Sequence, residues 1–197
     1  MRARSIDVPP AGFLVQEAFV DEAEERAILA ELEARTFREV RMHGVVARRT
    51  VLHFGWTYAY ESWRIERGEP LPSWLHALRE KAAAIGGLEA AALGQCLVSR
   101  YPPGAGIGWH RDAPMFGPVV VGISLGAACR FKLRRTVEEG PEVYAATLEP
   151  RSAYVLGGEA RTAWQHTIPA VKALRHSITF RTVKDPAKWD RAAAAEE

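Results

Sequence analysis

In the stretch YPPGAGIGWHRDAPMFGP, residues 101–118, His110 and Asp112 are separated by a single arginine after a loop rich in proline and glycine. On an extended segment, side chains two positions apart point the same way, so an imidazole and a carboxylate stand side by side. Such a pair is half of a metal site or a hydrogen-bonded surface pair, and a third ligand separates the two readings. Of the six histidines, His76 falls on an expected helix, and His43 and His53 fall in the basic and aromatic-rich region before it. His166, in GGEARTAWQHTIPA, follows a strand-like run and a Gly-Gly turn that allows a return to the sheet end carrying His110. Two histidines and one carboxylate form the facial triad of non-haem iron oxygenases, which leaves three positions open for a cosubstrate and O2.

A second pattern is independent of the first. In RHSITFRTV, Arg175, Ser177, Thr179 and Arg181 alternate with His176, Ile178 and Phe180, so one face of this strand is wholly polar. Two arginines on the last strand of a β core are costly to cover unless an anion meets them. They lie roughly 20 Å apart along an ideal strand. One can grip a distal carboxylate in bidentate fashion while the other serves the end nearer a metal. The competing reading is a solvent-facing strand whose arginines and hydroxyls point to water.

The elements that must hold these residues are legible from periodicity and punctuation. DEAEERAILAELEART, from Asp21, has an acidic first turn, and Ala27, Ile28, Leu32 and Arg35 are spaced near 3.6 residues. A second helix is expected over 73–85, with Leu75, Leu78, Ala82 and Ile85 as its buried stripe and Gly86-Gly87 as its stop. Between the helices lie RTFREVRMHGVVARR, with five arginines against one glutamate, and TVLHFGWTYAYESWRIERG, which reads as a hairpin or flap. After the second helix, short strand-like runs follow one another, as in an antiparallel sandwich or jelly roll. The expected fold class is therefore α+β: a jelly-roll core with N-terminal helices and a flap hairpin.

The chain has 197 residues, 48% hydrophobic and 25% charged, which suits one domain with a sizeable core. We expect that domain over 1–183, with helices and flap in 1–94, the catalytic core in 95–183, and a disordered tail over 184–197. A net charge of +2 predicts no partner by itself. Cys96 and Cys129 are far apart and form no C-x-x-C pair, so two buried thiols in a reducing compartment are expected rather than a disulfide framework. The N-terminus has no long apolar stretch after its basic start, and the run VVVGISLGAAC is too short to span a bilayer. A soluble, cytoplasmic, monomeric protein without membrane attachment is the expectation. No H-E-x-x-H or G-x-S-x-G suggests another chemistry.

Taken in order, SRYPPGAGIGWHRD, VVVGISLG, LEPRSAYVLGGEARTAWQHTIP and RHSITFR resemble the AlkB family of 2-oxoglutarate- and Fe(II)-dependent dioxygenases, over about residues 95–183. The resemblance implies a double-stranded β-helix core in which His110, Asp112 and His166 hold iron. It also implies that Arg175 and Arg181 bind 2-oxoglutarate, with help from Tyr101, Thr179, Ser99 and Ser177. The family often carries Asn where this chain has Ser99 and Ser177; a hydroxyl offers fewer donors than an amide. The chemistry implied is oxidation of a methyl C–H bond on an alkylated base such as N1-methyladenine or N3-methylcytosine, with O2 and 2-oxoglutarate consumed and formaldehyde, succinate and CO2 released.

The implied partner is alkylated DNA or RNA. A base inside a duplex must be flipped out or met in a single strand, and its pocket should offer a stacking surface. Phe54, Trp56, Tyr58 and Tyr60 are candidates, against the alternative that alternate aromatics pack on the core. Arg48 and Arg49 are placed to meet phosphates, and Arg111, pointing away from the metal by alternation, to meet phosphate or solvent. Two competing readings keep different substrates: the same iron chemistry on tRNA, protein or a small molecule, or a non-catalytic module that binds a carboxylate.

Overall fold

The computed structural model describes residues 3–42, 45–59 and 64–187. His43, Tyr60 and the end of the expected tail, 188–197, lie outside them, as does the side chain of Tyr58.

The chain opens with β1 (Arg4–Ser5) and β2 (Phe13–Gln16), then α1 (Glu22–Glu33), β3 (Arg38–Met42), β4 (Val45–Ala59) and β5 (Arg64–Arg67). A 3-10 turn (Ser73–Leu75) runs into α2 (His76–Gly86), and β6 (Gln95–Tyr101) and β7 (Ile107–His110) follow. The rest comprises β8 (Phe116–Leu125), β9 (Cys129–Val137), β10 (Gly140–Leu148), β11 (Ser152–Leu156), α3 (Gly158–Thr162), β12 (Gln165–Ile168) and β13 (Arg175–Val183). No helix among the described residues is long and apolar enough to cross a membrane.

Both expected helices form, and their ends follow from local chemistry. Asp21 caps α1 by accepting the Glu24 N–H at 2.8 Å, while the Glu24 carboxylate accepts the Asp21 N–H at 2.9 Å. Gly87 closes α2 in the left-handed region at φ 65°. Ile28 and Leu32 are buried on α1 as the spacing requires, whereas Ala27 is exposed. On α2, Ala83 is buried and Ile85 only half-buried.

Two sheets face each other. The minor sheet runs β1-β10-β9-β12-β7 and the major sheet β2-β11-β8-β13-β6-β4-β3, with β5 attached to β4. The sheets close on Phe131, Leu133, Tyr154, Leu156 and Trp164. On its far side the major sheet presents Val98, Ile123, Ile178 and Phe180 to Leu75, Leu78 and Ala82 beneath the helices. Cys96 and Cys129 are buried and unbonded to one another.

The aromatic segment departs from expectation. Only its end is a flap: β4 pairs with β6 from Thr50 to Gly55 as an interior strand of the major sheet, and then with β5 from Trp56 to Ala59. Gly55, at φ 73°, marks the change, and a Cβ there would lie 2.1 Å from the Gly94 carbonyl oxygen. Phe54 is consequently a core residue, edge-on to Trp74 with 6.4 Å between centroids. Trp56 is buried against Phe116, with Arg67 over its ring at 4.6 Å. Neither forms the cavity wall that a stacking platform requires. For Phe54 the reason is that an interior strand buries its large apolar side chains on the helix side of the sheet, whereas Trp56, past the turn at Gly55, packs against Phe116 instead.

Candidate metal and cosubstrate site

Between the sheets lies a cavity of about 1180 Å³. Its floor is the inner face of the major sheet, where strand register aligns residues in rungs. Val51, Ser99, Ser177, Ser124 and Ser152 form one rung across β4, β6, β13, β8 and β11. His53, Leu97, Thr179, Gly122 and Tyr154 form the next, and Gly55, Gln95, Arg181, Val120 and Leu156 the one after. The Tyr154 ring lies over Gly122, where a Cβ would come within 2.2 Å of it. The opposite wall is β7 and β12, whose pairing sets His110 directly across from His166.

The three expected metal ligands meet here. The His110 and His166 rings are 4.2 Å apart, and His166 Nε2 stands 4.0 Å from Asp112 Oδ2. His110 Nδ1 donates to the Gly108 carbonyl at 2.8 Å, which leaves Nε2 as its ligand nitrogen. Burial drives both imidazoles toward the neutral form, His166 down to about 3. Burial alone would raise the Asp112 carboxyl, but the Arg181 guanidinium, followed by His166 and His110, holds it well below the usual range. Two neutral imidazoles and an ionised carboxylate are the protonation states a divalent ion needs, so the donor set fits iron. Among the described residues no three His, Cys, Asp or Glu side chains lie close enough together to ligate one ion. Adjacent ligand atoms with bonds near 2.1 Å lie about 3 Å apart, so Asp112 and His166 must approach by about 1 Å.

Arg181 holds the Asp112 carboxylate on its other oxygen. Its Nε and Nη2 grip Asp112 Oδ1 at 2.8 and 2.6 Å, and its Nη1 donates to Gln95 Oε1 at 2.9 Å. The guanidinium expected on the cosubstrate thus holds the carboxylate ligand while it also lines the cavity. Arg175 is the opposite case. It is fully buried, its Nε donates to Ser124 Oγ at 3.1 Å, and both terminal nitrogens have no partner. It does not line the cavity itself but stacks 5.3 Å over the Tyr101 ring, which does. Two orphaned donors beside the serine rung are a carboxylate-shaped deficit, the feature that suits one end of 2-oxoglutarate. Ser99, Ser177 and Thr179 line the cavity beside them. A solvent-facing β13 is excluded, since every residue from Arg175 to Arg181 is buried.

Of the expected substrate residues, Arg111 is exposed at the cavity wall and donates to the Ala163 carbonyl. Arg48 is exposed but off the cavity. Arg49 is buried and lines it. Four residues had no place in the expected site. Arg161 fastens the turn after Asp112 by donating to the Asp112, Ala113 and Phe116 carbonyls. Gln95 holds Arg181, Tyr154 covers Gly122, and His53 faces the cavity, its imidazole pushed down to about 4 by burial. Gln95 was open to discovery from sequence, because it alternates with Leu97, Ser99 and Tyr101 along one strand face.

The profile of the 2OG-Fe(II) oxygenase superfamily matches residues 12–181. The chain is similar to an Arabidopsis thaliana protein named alkylated DNA repair protein ALKBH8 homolog, 30% identical over 184 residues, covering 81% of this chain and 51% of that protein. It is 28% identical to the Xenopus tropicalis tRNA (carboxymethyluridine(34)-5-O)-methyltransferase alkbh8, covering 81% of this chain and 25% of that one. It is also 30% identical to the alpha-ketoglutarate-dependent dioxygenase AlkB of Escherichia coli, covering 65% and 63%. The chain therefore spans between a quarter and two thirds of the length of these relatives. Among solved structures, OsALKBH1 superposes with a TM-score of 0.70 at 14% identity, over 89% of this chain and 99% of that one. A 2OG-Fe(II) family oxidoreductase from Burkholderia pseudomallei gives 0.61 at 17% identity, over 93% and 96%. At those identities the likeness is one of fold, a double-stranded β-helix.

Proposed function

The chain belongs to the 2OG-Fe(II) oxygenase superfamily and is an AlkB-like 2-oxoglutarate-dependent dioxygenase, and from that premise we propose that it oxidatively demethylates alkylated bases in nucleic acid. His110, Asp112 and His166 hold Fe(II). Arg175, with Tyr101, Ser99, Ser177 and Thr179, holds 2-oxoglutarate. When bound, these groups supply the oxidation of a substrate C–H bond by O2, with 2-oxoglutarate converted to succinate and CO2.

The protein's own part is positioning. Arg181 and Gln95 orient Asp112, Arg161 pins the backbone that carries it, and Gly108 sets the His110 tautomer. A methyl on a ring nitrogen presents no polarised centre for hydrolysis, so oxidation is the available route. Hydroxylation turns N–CH3 into N–CH2OH, which collapses to N–H and formaldehyde with no side-chain nucleophile.

The observation that carries the polymer reading is the rim. Arg41, Arg111 and Lys184 are exposed and line the cavity. Cations ringing a pocket large enough for a cosubstrate and a base suit a flipped nucleotide whose flanking phosphates stay outside. The relatives include proteins named for DNA repair and for tRNA modification, so both polymers belong in the test. Iron-loaded protein, 2-oxoglutarate and O2 should convert methylated DNA or RNA oligonucleotides with loss of one CH2 per lesion and matching formaldehyde and succinate. Turnover of 2-oxoglutarate with no oligonucleotide losing its methyl would reject the proposal and leave a protein or small-molecule substrate.

A further inference from the structure

On the minor sheet, strand alternation turns Phe131 and Leu133 of β9 into the core and sends Arg130, Lys132 and Arg134 outward. These three follow one another at two-residue steps of about 7 Å. Arg130 lies across the sheet, donating to Thr147 Oγ1 at 3.0 Å and to the Ala145 carbonyl at 3.4 Å. Arg134 donates from Nε to Gln165 Oε1 at 2.9 Å, and its guanidinium sits 4.4 Å over the Trp109 ring. Every partner is neutral, and none of the three cations has an ion pair with a described residue. The register sets Val143, Ala145 and Thr147 of β10 and Gln165 and Thr167 of β12 beside them, with no carboxylate among them. The acid of β10, Glu142, alternates to the other face, where Arg4 and Arg135 hold it. Helices α1 and α2 pack on the major sheet, so this face stays open: Arg130 is exposed, and Lys132 and Arg134 are half-buried.

We propose that this face is a track for a single nucleic-acid strand, binding the phosphates of nucleotides that flank the one in the cavity. The inference rests on the nucleic-acid reading and adds a surface to it. Three like charges in a row repel one another, and a polyanion removes that repulsion. Both guanidinium groups are fixed in place by their neutral partners yet keep donors free, so phosphate meets them without new ordering. Two features favour a nucleic-acid strand over an acidic protein. The two-residue step is close to the separation of successive phosphates in an extended strand. The row also begins at the cavity mouth: Trp109 lines the cavity, carries Arg134 on its ring, and is followed two residues later by exposed Arg111. A strand whose base enters the cavity therefore leaves over Trp109 and runs along Arg134, Lys132 and Arg130. Contacts of this kind carry affinity without sequence preference.

The test compares the wild-type protein with Arg130→Gln/Lys132→Gln/Arg134→Gln by fluorescence anisotropy on a long single-stranded oligonucleotide, as DNA and as RNA. The variant should bind about tenfold more weakly or worse, and the slope of log Kd against log salt should fall by about 2, from three phosphate contacts at about 0.7 each. With iron, 2-oxoglutarate and O2, the ratio of kcat/KM on a long methylated strand to that on a methylated trinucleotide should fall about tenfold. Because the ratio is taken within one sample, the fraction of folded protein cancels. Arg130→Lys/Arg134→Lys keeps the charges and should keep most of the affinity. Arg26→Gln/Arg79→Gln/Lys81→Gln removes the same charge from the helix side and should change binding by less than about twofold. Wild-type affinity and salt slope in the face variant overturn the inference and leave the demethylase reading to be judged on methyl loss. Equal weakening in the helix variant overturns it too, since net charge alone then sets binding. So does displacement by polyglutamate as complete as by unlabelled oligonucleotide of equal charge, which marks a surface for acidic protein. Face-dependent binding without methyl loss from any oligonucleotide keeps the track and rejects the demethylase reading, whereas no binding at all removes the track.

Discussion

Strand β13 has two faces made from the same nine residues, and they do different work. Ile178 and Phe180 are fully buried against the helix-side core. Arg175, Ser177, Thr179 and Arg181 are nearly as buried, yet they face hydroxyls, a carboxylate and a cavity. Burial alone does not separate the faces; satisfaction does. On the helix side, apolar surface removed from water contributes roughly 25 cal/mol per Å² and asks for no partner. On the cavity side, every guanidinium must find an acceptor or remain a standing cost. Arg181 has found one in Asp112, whereas the ends of Arg175 have not. A sheet face that keeps unsatisfied donors at its centre is built around something other than protein.

The comparison breaks most visibly when His110, across the cavity from the polar face, and Phe180, on the apolar face, are removed in turn. His110→Ala should reduce methyl loss on the order of 10³-fold or more while changing the denaturant midpoint little. Phe180→Ala should do the reverse, costing about 3–5 kcal/mol of stability with turnover per folded molecule largely retained. Urea unfolding and single-turnover assays on the two variants would show whether the effects cross in this way. Equal losses on both axes in both variants would mean that the two faces are not separable.

Within the polar face, the two arginines should separate next. Arg175→Met keeps the volume and removes the unpartnered nitrogens. The KM for 2-oxoglutarate should rise about 10- to 100-fold, with kcat less affected and stability unchanged or improved. Arg181→Met leaves the Asp112 carboxylate buried without its partner, so stability and kcat should both fall. Succinate formation across a 2-oxoglutarate titration distinguishes the two outcomes.

A smaller effect lies at the seam between sheet and cavity. Gly122→Ala places a methyl inside the position of the Tyr154 ring, which also packs 4.8 Å from Phe131. The ring must move, at a cost of about 1–3 kcal/mol read from the denaturant midpoint. The same substitution at Gly108, where a Cβ would meet nothing within 4 Å, gives the control.

How much of this was written in the sequence depends on the kind of information each residue carries. Alternation exposes the two faces of β13 directly, and a two-residue spacing aligns His110 with Asp112. Capping and a left-handed glycine mark both helices. Arg181 is harder, because its partner lies 69 positions earlier in the segment before β8, and only the pairing of β13 with β8 brings them together. The pairing of Arg48 with Arg49 misled for a different reason: adjacent strand residues face opposite sides, so one is exposed and the other buried at the cavity. Phe54 and Trp56 look equivalent in sequence, yet the positive φ at Gly55 turns the strand between them, and no periodicity reports that.

The smallest prediction returns to the two faces through their titration. An imidazole whose Nδ1 is buried without a partner lies on each side of the sheet, half-buried His53 of β4 at the cavity and buried His176 of β13 beside Phe37. Burial pushes both down to about 4, from an ordinary value of 6.5. Between those values the unfolded chain binds protons that the folded chain refuses. The stabilisation is therefore full above pH 6.5 and is lost as pH falls toward 4. His176→Phe removes one such group and keeps a ring against Phe37. It should flatten the fall in stability over this window, by about 1 kcal/mol at pH 5.5 once solvent screening around the ring is discounted. Because His176 does not line the cosubstrate cavity, adding 2-oxoglutarate should leave that increment unchanged. The increment at His53, which shares its cavity with the cosubstrate, should shift when 2-oxoglutarate is present. Urea midpoints at pH 7.5 and 5.5, with and without 2-oxoglutarate, test both statements, and a ligand-dependent His176 increment would contradict the division between the faces.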